Sequence, residues 1–279
     1  MPTNPQHIVL FHHFRRVLEA AARENIAIAP LKGAHLLTSV YPPDRDRGMM
    51  SDVDFLVKPA DYLRTVALME TLGFTRRDHF ADEGQLFEMG FYYDLGEGRQ
   101  ILFELHRYLF EHDRFPLDHE SIWDRAVPSD FEGVPCLRLS AEDHFCHIAL
   151  HTVLHRLAGL ERSVDDLRLL VESGTLRLEE VVERAREWRV TRSVWFFLDY
   201  LAEICPEQHL ENHATAIEPP KPIVVWFRML GKERTREWLA RTHHRVQAAV
   251  IWPFMFDSPV QVARFVTGHP LVWKMLGRA

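Results

Sequence analysis

The stretch Ser51-Asp52-Val53-Asp54-Phe55-Leu56-Val57 decides how the rest of the chain reads. Its β-branched and aromatic residues predict a strand, and a strand turns residues i and i+2 to the same face. Asp52 and Asp54 therefore project together, about 6–7 Å apart by strand rise, while Val53, Phe55 and Val57 cover the other side. Two acids on a half-buried strand are unfavourable unless something neutralises them. Oxygen-bound hard cations do so, and the same device supports two-metal phosphoryl transfer. A bare D-x-D carries little weight. Seventeen aspartates in 279 residues give about one by chance, and Asp44-Arg45-Asp46, in a proline-rich loop, is such a case. The apolar run after Asp54 sets Asp52 and Asp54 apart.

Upstream, Pro5 to Glu24 predicts an amphipathic helix. Ile8, Phe11, Phe14, Val17, Leu18 and Ala21 recur at three- and four-residue spacing, and Asn4 stands ready as the N-cap. Ile26–Leu31 is a short apolar strand that runs into Lys32-Gly33, and Ala34 to Val40 is a short helix. The prolines and glycine of Tyr41–Gly48 make a loop. Downstream, Pro59 and Gly73 bracket a helix from Ala60 to Leu72. Gln85–Tyr93 and Arg99–Tyr108 predict paired strands joined by the loop 94–98. The second of these, Ile101-Leu102-Phe103-Glu104-Leu105-His106-Arg107, again sets an acid in an apolar run. Metal ions shared by Asp52, Asp54 and Glu104 would satisfy all three acids, and a Glu104–arginine salt bridge is the plainer alternative. From the capping box Ser140-Ala141-Glu142-Asp143 onward the pattern is helical, with the first helix through about Ala158. The pattern predicts a domain of strands and helices over residues 1–135, then an all-helical part over 136–279.

Composition excludes several classes. The chain is 47% hydrophobic and 26% charged, with no window suited to a transmembrane helix and no secretory signal at its start. Three cysteines without C-x-x-C spacing argue against a disulfide framework and point to a reducing cytoplasm. A net charge of −7 argues against bulk nucleic-acid binding. The charge is uneven: residues 221–279 hold 10 basic and 3 acidic side chains, interleaved with tryptophans. That tail is expected to dock on the helical domain through Trp226, Trp238 and Trp252, with an external partner as the alternative. No G-x-S-x-G, P-loop or G-x-G-x-x-G occurs.

The ordered set Leu31-Lys32-Gly33, Tyr41, Arg47-x-Met49-x-Ser51-Asp52-Val53-Asp54-Phe55-Leu56-Val57, Leu72-Gly73-Phe74 and Phe103-Glu104-Leu105-His106 resembles the uncharacterised nucleotidyltransferase family of the DNA polymerase β-like superfamily. The likeness continues through Leu139–Asp143, the histidines His147, His151 and His155, and Asp166-Leu167. It covers roughly residues 5–175. The resemblance implies an α+β fold whose polymerase-β-like domain, a small mixed sheet with helices packed behind it, transfers a nucleoside monophosphate from an NTP and releases pyrophosphate. By it, Asp52 and Asp54 are paired Mg²⁺ (or Mn²⁺) ligands, Glu104 is the third carboxylate, and Lys32-Gly33 forms the helix-start turn that holds the triphosphate. Arg47 and Ser51 flank that nucleotide site, and ATP is the favoured nucleotide. Lys32-Gly33-Ala34 replaces the superfamily's usual Gly-Ser or Gly-Gly, and the third acid is Glu rather than Asp.

Four histidines fall on the helix after the capping box. At i, i+4 spacing His147 with His151, or His151 with His155, suit a transition metal. Contacts to phosphate or acceptor by His106, His147, His151, His155 and Asp166, or plain core histidines, are the other readings. The acceptor stays open, with a small molecule, peptide or protein favoured over RNA, as does the oligomeric state. Two rivals remain: a D-x-D glycosyltransferase, for which too few residues precede Asp52, and a non-catalytic binding module on the same fold.

Overall fold

The computed structural model describes residues 4–42, 45, 47–77, 87–110, 115 and 117–268. Asp44, Asp46, Gln85 and Trp273 lie outside the described residues. The fold is α+β, with a small mixed sheet on the N-terminal side and a helical C-terminal part. The chain forms two compact units. One comprises Met1–His112 and Asp118–Ser140, the other Asp113–Leu117 and Ala141–Ala279.

In the first unit, α1 (Pro5–Arg23) begins where Asn4 Oδ1 accepts the Gln6 N–H at 3.0 Å. Leu10, Phe11, Phe14, Val17, Leu18 and Ala21 are buried, whereas Ile8, expected on the same stripe, is 53% exposed. The five-stranded sheet has the order β1-β2-β5-β4-β3, with β1 (Ile28–Pro30), β2 (Asp52–Val57), β3 (Thr75–Arg76), β4 (Glu88–Gly96) and β5 (Arg99–His106). Only β2 and β5 run parallel. Helix α2 (Lys32–Ser39) leaves β1 at once, and α3 (Tyr62–Thr71) follows a 3-10 turn over Pro59–Asp61. Val53, Phe55, Val57, Phe91, Phe103 and Leu105 share one core with α1 and α3. Phe14 lies at its centre, 5.5 Å from Phe55, 6.2 Å from Phe103 and 4.9 Å from Phe131. Burying each such ring contributes about 1.5–3 kcal/mol. The sheet is therefore pinned by its apolar face, which leaves the other face to carry polar groups.

The β4–β5 loop is shorter than the sequence suggests. Glu97 (φ 55°) and Gly98 (φ 72°) make a two-residue turn, and a bulge between Asp94 and Gly96 takes up the extra residue. After α4 (His119–Arg125), β6 (Val127–Phe131) and β7 (Val134–Arg138) form a separate hairpin whose Phe131 and Val134 join the same core. Residue 135 thus lies within β7.

The second unit is helical: α5 (Ala141–Leu154), α6 (Leu160–Glu172), α7 (Leu178–Glu187), α8 (Thr191–Ile204), α9 (Glu211–Ala216), α10 (Lys221–Leu230), α11 (Glu233–Arg241), α12 (His244–Met255) and α13 (Pro259–Gly268). Helix α5 stops four residues before the expected end because Arg156 and Leu157 turn left-handed at φ 60° and 62°. The basic tail packs on this unit's own helices. Phe227 is fully buried beside Trp195 and Phe196, Arg228 grips Asp199 with two bonds of 2.7 and 3.0 Å, and Arg236 meets Glu161. Trp252 donates to the Leu154 carbonyl of α5, whereas Trp226, expected as an anchor on the domain, donates to the Val250 carbonyl within the tail itself. Trp238, expected as a third anchor, is instead 51% exposed, because α11 turns Leu239 inward. Among the described residues no helix is long and apolar enough to cross a membrane.

Candidate active site

The register of three strands builds the site. Parallel pairing sets Asp54 of β2 opposite Glu104 of β5, and Leu56 opposite His106. One strand further, Gly90 of β4 faces Glu104 and Glu88 faces His106. Strand alternation then puts Asp52, Asp54, Glu104, His106 and Glu88 on the face opposite the core. Ligand atoms of Asp54, Glu104 and His106 all lie within 4.8 Å of one another, the one such group of three among the described residues. His106 Nε2 is 3.1 Å from Asp54 Oδ1, and its buried Nδ1 is 3.7 Å from Glu88 Oε2. Asp52 stands at the head of the strand, half-buried and outside that group, where Ser51 Oγ donates to its carboxylate at 3.1 Å.

The β1–α2 turn supplies one cation, Lys32, and makes room for a second, Arg47. The Leu31 N–H donates to the Asp54 carbonyl at 2.9 Å, which ties the turn to β2. Lys32, at φ 46° on the first residue of α2, sends its Nζ to Asp54 Oδ1 at 2.7 Å. Gly33 leaves room for Arg47: a Cβ there would sit 2.9 Å from the guanidinium carbon. Gly90 does the same for Arg77, whose Cβ would be 3.1 Å from a Cβ at that glycine. The Arg77 Nη1 lies 3.8 Å from Glu104 Oε1.

Charges in this space perturb one another. Burial acts against the Asp54 carboxylate, yet Lys32 and the His106 hydrogen bond hold it well below the usual carboxylate range. Burial likewise opposes charge on Lys32 and His106, and Asp54 outweighs it, raising both. Burial, then the Asp54 charge, pushes Asp52 up. Glu104 is pushed up to about 7 by burial, Asp54 and Glu88. A cation shared among these groups would relieve that crowding. Two carboxylates and an imidazole with ligand atoms within 4.8 Å of one another are a donor set that fits Mg²⁺ or Mn²⁺, the imidazole suiting Mn²⁺ better.

The remaining expected residues belong to the second unit. His147 and Asp166 are buried, His151 is half-buried and His155 is exposed just past the end of α5. The His151 and His155 rings stack at 4.1 Å. Glu88 and Arg77 are absent from the reading of the sequence. Glu88 was legible only through the hairpin register: a five-residue loop would set Tyr93 opposite Arg99, whereas the turn and bulge set Tyr93 opposite Ile101.

The chain is similar to an antigenic nucleotidyltransferase-like protein from Paracoccidioides brasiliensis, the match covering 77% of this chain and 94% of that one, at 14% identity and a TM-score of 0.48. It also resembles the antibiotic-resistance factor ANT(2'')-Ia, covering 74% of this chain and 98% of that one, at 15% identity and a TM-score of 0.42. No curated relative matches. A family model described as uncharacterised nucleotidyltransferase matches residues 4–206, and the chain belongs to that family.

Proposed function

We propose that the first unit is the catalytic domain of a metal-dependent nucleotidyltransferase, which moves a nucleoside monophosphate from an NTP to an acceptor. The observation that carries this reading is the group Asp54, Glu104 and His106 on one sheet face, with Asp52 beside it and Lys32, Gly33 and Arg47 at the adjoining helix start. Asp54, Glu104 and His106, with Asp52, would hold Mg²⁺ or Mn²⁺, which when bound neutralises triphosphate charge. Arg47 and the backbone N–H groups at the start of α2 bind and orient the phosphates. The acceptor nucleophile bonds to the α-phosphorus, the bond to the β-phosphate's bridging oxygen breaks, and pyrophosphate leaves with that electron pair. Glu104, on the neighbouring strand, helps take the acceptor's proton. ATP is the favoured donor, and a small molecule, peptide or protein the favoured acceptor. The free cysteines Cys136, Cys146 and Cys205 support a reducing, cytoplasmic setting. No observation favours a glycosyltransferase.

A thermal-shift panel of the four NTPs, each with Mg²⁺ or Mn²⁺, tests the reading. A melting temperature raised by one or more NTPs only when metal is present supports it. Indifference to every pair refutes it.

A further inference from the structure

One register row crosses the whole sheet at the site. The Leu31 N–H donates to the Asp54 carbonyl, Asp54 pairs with Glu104, Glu104 pairs with Gly90, and the Arg77 N–H donates to the Gly90 carbonyl at 2.8 Å. Lys32, Gly33 and Arg47 stand at the β1 end of this row, and Arg77 stands at the other. Neighbouring strands lie about 4.7–4.9 Å apart, so the acidic face separates the two ends. Gly90 is what lets Arg77 reach that face: a Cβ there would come within 2.9 Å of the arginine's Cδ and 3.1 Å of its Cβ. The guanidinium extends over β4 to Glu104, with Nη1 3.8 Å from Oε1, farther than a hydrogen bond, and the side chain is 48% exposed. An ion pair that long and that open to water contributes little to the fold. The arrangement leaves a planar, fork-shaped cation open to solvent beside Glu104.

Resting on the nucleotidyltransferase reading, we propose that Arg77 selects the acceptor by binding a carboxylate or phosphate that the acceptor carries close to its nucleophile. Phosphates held at the β1–α2 turn put the leaving pyrophosphate at that end of the row. In phosphoryl transfer the attacking and leaving oxygens lie roughly in line, so the acceptor enters from the opposite end, past β4 and β5. There it meets Glu104, which helps take its proton, and Arg77 one strand further on. A guanidinium grips an oxyanion through two parallel N–H donors and repels an ammonium. Arg77 therefore favours an anionic acceptor over an uncharged or cationic one, and holds its nucleophile beside Glu104.

The test loads the full chain with Mg²⁺ and α,β-methylene-ATP, which fills the nucleotide site and cannot release pyrophosphate. Glycerol 3-phosphate, glycerate, glycerol and ethanolamine are then titrated at constant ionic strength. NMR follows the Arg77 side-chain N–H resonance, identified by its loss in Arg77→Gln. One or both anions should shift it saturably and bind about tenfold tighter than glycerol, and ethanolamine should leave it in place. The tighter of the two anions tells phosphate from carboxylate. Calorimetry should find the metal-loaded nucleotide bound by Arg77→Gln within about threefold of wild type, since Arg77 stands away from the triphosphate. The absence of a saturable shift from either anion overturns the proposal, as does glycerol or ethanolamine binding equally well. An Arg77→Gln variant that loses about tenfold in nucleotide affinity assigns Arg77 to the triphosphate and overturns it too. Each of these results leaves the proposed function standing, whereas wild type that fails to bind the metal-loaded nucleotide overturns both. Should Arg77→Gln fail to fold, Arg77→Lys, which lacks the fork, identifies the resonance and carries the same nucleotide comparison.

Discussion

Asp54 is held by an ammonium and an imidazole at once, and Asp52, two residues earlier, by neither. From the sequence alone the two aspartates are equivalent. In the fold they are opposites, and asparagine variants should separate them. Asp54→Asn removes the buried carboxylate that Lys32 and His106 share and should lower the metal-free unfolding free energy by about 3–5 kcal/mol. Asp52→Asn removes a charge that burial and Asp54 disfavour, and should leave stability equal or higher. Urea unfolding at neutral pH measures both. Glu104 gives a pH signature. Its folded carboxyl is pushed up to about 7 from an ordinary 4.5, so the fold favours the protonated form. Its contribution is fully present below pH 4.5 and is lost as pH rises through 7. The metal-free melting temperature should fall across that window, and in Glu104→Gln this part of the slope should vanish.

Among the elements, β2, β5 and the start of α2 carry most of the site's side chains, and all three were legible. The apolar run after Asp54 marks β2, and a lysine and glycine after a short apolar strand mark the β1–α2 turn. Gly33 has a specific task there, since a Cβ would strike Arg47. Gly33→Ala should keep the fold, displace the guanidinium and weaken NTP binding by about 1–3 kcal/mol, the range for charge-assisted hydrogen bonds, as read by calorimetry. What the sequence could not yield was register. A one-residue bulge between Asp94 and Gly96 decides that Glu88 faces His106, and a loop holding both Gly96 and Gly98 does not say by itself which glycine marks the bulge and which the turn. The end of α5 was hidden for a similar reason: Arg156 and Leu157 are ordinary helix formers that adopt left-handed φ under tertiary constraint.

At the scale of the whole molecule, the charge reversal at residue 221 was visible in composition, and its meaning came from packing within the helical unit. Phe227 fills the space beside Trp195 and Phe196, so Phe227→Ala should lower stability by about 3–5 kcal/mol. Trp238→Ala, at an exposed position, should change it by under about 0.5 kcal/mol, a contrast that thermal melting resolves. The acidic sheet face of the other unit carries the functional claim. Calorimetric titration of Mg²⁺·ATP into wild type and Asp54→Asn, under conditions where circular dichroism shows both folded, tests it most directly. The prediction is saturable, metal-dependent binding in wild type and at least a hundredfold loss in Asp54→Asn. Equal affinity in the two proteins, or binding that persists undiminished when metal is withdrawn, would contradict a metal-anchored nucleotide site on this sheet.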